Sequence, residues 1–209
     1  MIKKSCLLLV IAWTAGFAQT VNCLVAVVNG RPVTLTDVQI VAEFGLFPRD
    51  EDVPGKDPRL AALEALIDRK VVLEMAREAA GVGREELAET LAVLRGILTE
   101  EEFSRKLRKF GLRENDLYPF LEEKILFERA IVLRFNQNIP VSRSDLERYY
   151  REVYAPEHVR AGIAAPPIDD VLTVLQIRVR EESRARQIAD WIRSLRGRAE
   201  IRIKKDCLK

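Results

Sequence analysis

The residues able to do chemistry are few and scattered. The chain has three cysteines and a single histidine, His158. No His/Cys cluster has the close spacing of a zinc site, so no metal is expected. Gly81-Val82-Gly83 lacks the third glycine of a dinucleotide loop and follows a helical pattern rather than a strand. Neither a Gly-x-Ser-x-Gly elbow nor a His-Glu-x-x-His pair occurs. His158 lies in a Pro/Ala-rich stretch with no nucleophile paired to it, and reads as a solvated loop histidine. The many carboxylates fall at helix caps and on charged faces, where they serve structure. No catalytic residue, cofactor or metal is therefore expected, and binding becomes the plausible activity. Cys23 and Cys207, near the two ends, form a natural disulfide candidate in an oxidising compartment. Two free thiols or an intermolecular link are the alternatives.

That compartment is suggested by the first eighteen residues. Lys3 and Lys4 precede an apolar run from Cys6 to Phe17, and Gly16-Phe17-Ala18 supplies small residues at the −3 and −1 positions of a signal-peptidase site. The reading is a signal peptide, 1–18, cleaved after Ala18, and export to the periplasm. The apolar run is shorter than the ~20 residues that span a bilayer. Stable membrane insertion is not expected. Lysine and arginine number 34 against 32 aspartates and glutamates. Removing 1–18 takes away two lysines and no acids, which leaves the signs equal. So even a balance argues against a nucleic-acid partner.

The elements that would position a binding surface are mostly helical. Residues 24–29 form a short β-branched run closed by Asn29-Gly30, a turn dipeptide, and 31–34 can return as a second strand. Thr34 or Thr36 caps a helix to about Phe44, and 45–57 reads as a loop. From Pro58, Leu60, Leu63, Ile67, Val71 and Met75 recur at helical spacing. Leu87, Leu91, Leu94 and Leu98 mark a further helix, and Thr99 with Glu102 makes a capping box for the next, which Gly111 stops. Residues 117–137 are apolar on so many sides that the helix they predict should sit between other helices. Ser142 with Asp145 opens a shorter helix ending near Tyr154. The Pro/Ala-rich segment 155–169 reads as a linker, 171–179 as a strand, 181–196 as a helix and 199–205 as a final strand.

This order resembles the SurA family of periplasmic chaperones. Three stretches carry the likeness: 25–37 (VAVVNGRPVTLTD), which looks like the family's opening strand, turn and helix start; 139–150 (IPVSRSDLERYY), following the long helix; and 175–205, similar to the C-terminal strand, helix and strand that pack back on the N-terminal domain. The resemblance implies a mainly α fold, with a small antiparallel sheet joining the N- and C-terminal strands. Residues 19–154 would be the chaperone domain and 170–209 the returning C-terminal piece. Family members commonly insert parvulin-type prolyl isomerase domains where this chain has only 155–169, too short to build one. The isomerase is therefore expected to be absent. The family's pairing of first and last strands also gives the cysteines meaning, since an antiparallel register of 23–27 against 201–207 would set Cys23 opposite Cys207.

The function that the resemblance implies is an ATP-independent holdase for unfolded outer-membrane or secreted polypeptides. A dedicated assembly or adaptor protein with one partner is the alternative, and homodimerisation is left open. Client-binding candidates are Phe44, Leu46 and Phe47 beside the loop, Phe103, Leu107 and Phe110 on a short helix, and Tyr118, Tyr149, Tyr150 and Tyr154.

Overall fold

The computed structural model describes residues 22–47, 57–75, 81–137, 139–204 and 207. The expected signal peptide, most of the 45–57 loop and the end of the helix before Gly81 lie outside the described residues.

Strand β1 (Leu24–Val28) turns at Asn29-Gly30 into β2 (Arg31–Thr34). Both turn residues have positive φ, 48° and 79°, as a two-residue type I′ hairpin requires. A register shift between Leu24 and Ala26 lets the successive residues Val25 and Ala26 both be buried, breaking strict alternation. The third strand, β3 (Ile201–Ile203), lies antiparallel on the other side of β1, giving the order β2-β1-β3. Asn29 fixes its entry: the Asn29 N–H donates to the Glu200 carbonyl at 2.9 Å, and the Glu200 N–H donates to Asn29 Oδ1 at 2.8 Å. Cys23 and Cys207 are joined by a disulfide with Cα atoms 6.1 Å apart, within the usual range.

Helix α1 (Leu35–Glu43) starts at a Thr34–Asp37 capping box. It is followed by α2 (Pro58–Met75), α3 (Arg84–Ile97) and α4 (Glu100–Phe110), the last bounded by the Thr99–Glu102 box and by Gly111 at φ 64°. A 3-10 turn, Glu114–Leu117, leads into α5 (Tyr118–Arg134). The core of this main lobe joins the sheet to α1, α2, α3, α4 and α5 through Val33, Val38, Leu63, Ile67, Leu91, Phe103 and Leu121. The mainly α architecture with a three-stranded antiparallel sheet is thus as the sequence implied.

The C-terminal third differs from expectation. Helix α6 (Arg143–Tyr149) opens at the Ser142–Asp145 box. It does not stop near Tyr154 but runs through a π turn, Tyr150–Tyr154, into α7 (Ala155–Arg160). Pro156 sits in the first turn of α7, where a missing N–H costs nothing, so the expected linker begins as helix. The strand expected over 171–179 is helical too: a 3-10 turn, Ile168–Val171, leads into α8 (Leu172–Arg196). Burial shows the reason. Val171, Leu175 and Val179 are buried at intervals of four, while Thr173 and Ile177 face solvent, so helical packing overrides the β-branched composition.

Helix α8 spans roughly 37 Å at 1.5 Å per residue. Its first turns pack on Leu146 and Tyr154 in a small second lobe. Its last turns return Trp191, Ile192 and Leu195 to the main lobe. Arg196 clamps that end, reaching Glu64 and Asp68 of α2 at 2.7 Å each.

Candidate functional site

Helix α5 is apolar on more sides than its neighbours cover. Only Leu121 and Ile125 are buried along it, and Val132 and Leu133 remain 53% and 82% exposed. The expectation that 117–137 is enclosed by other helices fails for its C-terminal half, where α8 meets it only in part: the Phe135 ring packs edge-on against Trp191 at 5.5 Å, but a gap remains beside it. The gap is a cleft of about 780 Å³ between α2, α5 and α8. Its apolar wall is Phe47, Phe127, Ile131, Val132, Ile188 and Ile192. On the other flank of α5 a second cleft, about 650 Å³, lies against α3 and exposes Val93. Val132, Lys124 and Glu128 line both, so the two form one apolar trough straddling α5.

The charges around the trough are largely matched. Lys124 holds Glu128 at 2.6 Å, Lys70 holds Glu123 at 3.1 Å, and Arg129 pairs with Glu86. Asp68 is held by Arg196, yet burial raises its carboxyl above the usual aspartate value against the pull of that hydrogen bond. Among the described residues the exposed Arg184 and Glu89 have no ion-pair partner, and Arg69 is the buried exception. Only 2% of it is exposed, its Nη2 donates to the Leu46 carbonyl, and its Nη1 has no partner among the described residues. Burial pushes the guanidinium down from the ordinary arginine value, and the charges of Glu123 and Glu128 oppose that. An arginine nevertheless stays protonated, so an incompletely compensated cation sits at the floor of the cleft.

The sequence-named aromatics fall mainly elsewhere. Phe44, Leu46 and Phe103 are core residues at 3%, 2% and 0% exposure, with the two rings edge-on at 5.9 Å, so they offer no surface. Leu107, Phe110 and Tyr118 are half-buried against the same core. Tyr149 and Tyr150 pack on the second lobe, where Tyr154 is buried. Of the named set only Phe47 lines the trough. His158 is not a solvated loop residue: it is half-buried on α7, its Nδ1 is 2.8 Å from the Tyr154 carbonyl, and its ring lies 4.3 Å from that of Tyr154. Ile131, Val132, Ile188 and Ile192 were visible as apolar periodicity, but periodicity alone does not say which apolar face lacks a neighbour.

A further hollow is rimmed by Glu43, Asp57, Arg59, Lys106 and Lys109, where Arg59 pairs with Asp57, Lys109 pairs with Glu43 and Lys106 donates to the Glu43 carbonyl. Among the described residues no group of three or more His, Cys, Asp or Glu could hold a metal ion. Nor is any described helix long and apolar enough to cross a membrane.

Comparison with family models finds no match, and no curated protein matches the sequence. Among solved structures, the fold is similar to a chain from work on Campylobacter jejuni, which describes the virulence factor PEB4 and the periplasmic protein Cj1289 as two structurally related SurA-like chaperones. The TM-score is 0.52 at 12% identity, over 88% of this chain and all of that one. At that identity the likeness concerns the fold.

Proposed function

We propose that the protein is an ATP-independent periplasmic holdase that shelters unfolded outer-membrane or secreted polypeptides in the trough straddling α5. The observation that carries the reading is the exposure of Val93, Val132 and Leu133 in the cleft against α3, with Val132 shared by the larger apolar cleft on the other flank of α5. Contiguous apolar surface of this kind marks sites of macromolecular contact. An open trough, unlike a closed pocket, accepts many sequences, because selectivity needs contacts that reject alternatives. The SurA-like fold of the C. jejuni chain supports the same class of activity.

Reversible burial of client side chains would supply the binding free energy, at about 25 cal/mol per Å² of apolar surface removed from water. Much of that is offset by ordering the client. Modest affinity follows, and release needs no nucleotide. Export through a cleaved signal peptide belongs to the same proposal.

The test is dilution of a urea-unfolded outer-membrane barrel protein into buffer, with and without the mature chain, followed by light scattering. Suppression near stoichiometric ratios without nucleotide is expected. Failure with several unrelated clients would sink the holdase reading and leave the trough to a single dedicated partner.

A further inference from the structure

The apolar wall explains why unfolded chains would bind the cleft between α2, α5 and α8, but not why its floor is cationic. Five charged residues line it: Asp68, Arg69, Lys124, Glu128 and Arg184. One of the three cations and both acids are already paired. Asp68 is engaged by Arg196 from outside the cleft, and Glu128 by Lys124 within it. Arg184, exposed in the middle of α8, has no hydrogen-bond or ion-pair partner among the described residues. Arg69 has the Leu46 carbonyl on Nη2 and, among the described residues, nothing on Nη1. Once the paired charges are set aside, two guanidinium groups remain, one on each side of an apolar cleft. A buried cation short of partners is costly, and a carboxylate arriving in a desolvated site would offset that cost. Guanidinium also suits carboxylate geometry, since its planar fork can donate two parallel hydrogen bonds.

Resting on the holdase reading, we propose that this cleft is a selective subsite, which takes apolar client segments carrying an aspartate or glutamate side chain. The aliphatic and aromatic neighbours of the acid would lie on Phe127, Ile131, Ile188 and Ile192, while its carboxylate turns toward Arg184 and the Arg69 floor. Charge complementarity favours such a segment over a wholly apolar one, which would leave Arg69 as poorly compensated as before.

The experiment uses the mature full-length chain and two fluorescein-labelled peptides. Both have the same Leu/Phe-rich sequence and differ only in a central Glu or Gln. Binding is read by fluorescence anisotropy, and aggregation suppression is measured in parallel. The Glu peptide is expected to bind about tenfold more tightly, the effect of one charge-assisted hydrogen bond. Arg184→Gln should cut that preference several-fold, and Arg69→Met should erase it. Replacing a buried, poorly partnered charge with an apolar side chain need not cost stability. Circular dichroism confirms the fold of R69M, and the exposed R184Q carries the test by itself if R69M fails to fold.

Equal affinity for the two peptides, with aggregation suppression intact, would overturn the subsite and leave the holdase reading standing. A preference surviving in R184Q and in folded R69M would also overturn it. Self-association of the wild type that R184Q abolishes, with no peptide preference, would overturn it in favour of a second copy of the chain. Loss of both peptide binding and suppression in the wild type would remove the subsite and the holdase reading together.

Discussion

The main lobe and the small C-terminal lobe are built from the same kinds of helix but are held together very differently. In the main lobe twenty-three of the described residues form one buried apolar cluster, drawing on the sheet and five consecutive helices. The second lobe has five, from α6, the π turn, the 3-10 turn and the start of α8. Its outer surface keeps Val159, Ile163, Val174 and Ile177 in water. A cluster that small cannot offset much conformational entropy on its own, so its order depends on α8 being anchored in the main lobe. The difference teaches where the binding surface comes from. The trough belongs to the main lobe: α2, α3, α5 and the second half of α8 line it, and none of the five residues of the smaller cluster does.

The largest effect that would sharpen this contrast is expected from the main core. Phe103→Ala should cost about 3–5 kcal/mol of global stability, read by urea unfolding. Loss of less than 1 kcal/mol would mean that Phe103 is not the enclosed residue described here.

Breaking the Cys23–Cys207 bond should come next. By chain entropy it closes a long loop, and about 2–4 kcal/mol is expected on reduction or in Cys23→Ser. Unchanged thermal unfolding under reducing conditions would contradict the pairing.

Leu175→Ala tests the second lobe. It removes a fully buried side chain from the smaller cluster and should cost about 2–3 kcal/mol. The loss should show as faster amide hydrogen exchange in α6 and α7, with α2 and β1 still protected. Uniform loss of protection across both lobes would show that they unfold as one unit.

The smallest effects concern the helix caps, one in each lobe. Thr99→Ala and Ser142→Ala should each cost about 1 kcal/mol. The Ser142 hydroxyl and N–H hold the Asp145 carboxyl below the usual aspartate value, and the Thr99 N–H and hydroxyl do the same for Glu102. A depressed folded pKa gives stability that is present above the unfolded-chain value and lost as pH falls through the folded one. Acid should therefore loosen α4 and α6 together. Loosening of both as pH rises instead would reverse the assignment, and NMR titration of the two carboxyls checks it.

Much of the fold was legible because the signals were local. The Asn29-Gly30 turn, the Thr99–Glu102 and Ser142–Asp145 caps and Gly111 each act over a few residues and are found where the sequence put them, while the first helix cap, open between Thr34 and Thr36, falls to Thr34. The paired cysteines, and the first and last strands that bring them together, were legible through the SurA resemblance. Tertiary partners decided the rest. Residues 171–179 are rich in valine and could have been a strand, but the contacts made by Val171, Leu175 and Val179 select a helix. Phe44 and Phe103 looked like surface candidates from their neighbouring loop and short helix, yet each is the other's core neighbour. Arg69 was silent because an arginine in a helical repeat is ordinarily a solvated face, and only burial reveals its isolation.

The most direct test of the trough is site-specific photo-crosslinking from two positions of matched exposure. Val132, on α5, is 53% exposed and lines both clefts, whereas Ile163, beyond α7 on the second lobe, is 57% exposed. A photoreactive residue at each site is activated in the presence of a urea-unfolded outer-membrane barrel protein. Strong client crosslinking from Val132 and little from Ile163 is the predicted result. Equal crosslinking from the two, or a preference for Ile163, would contradict the claim that clients bind in the trough straddling α5.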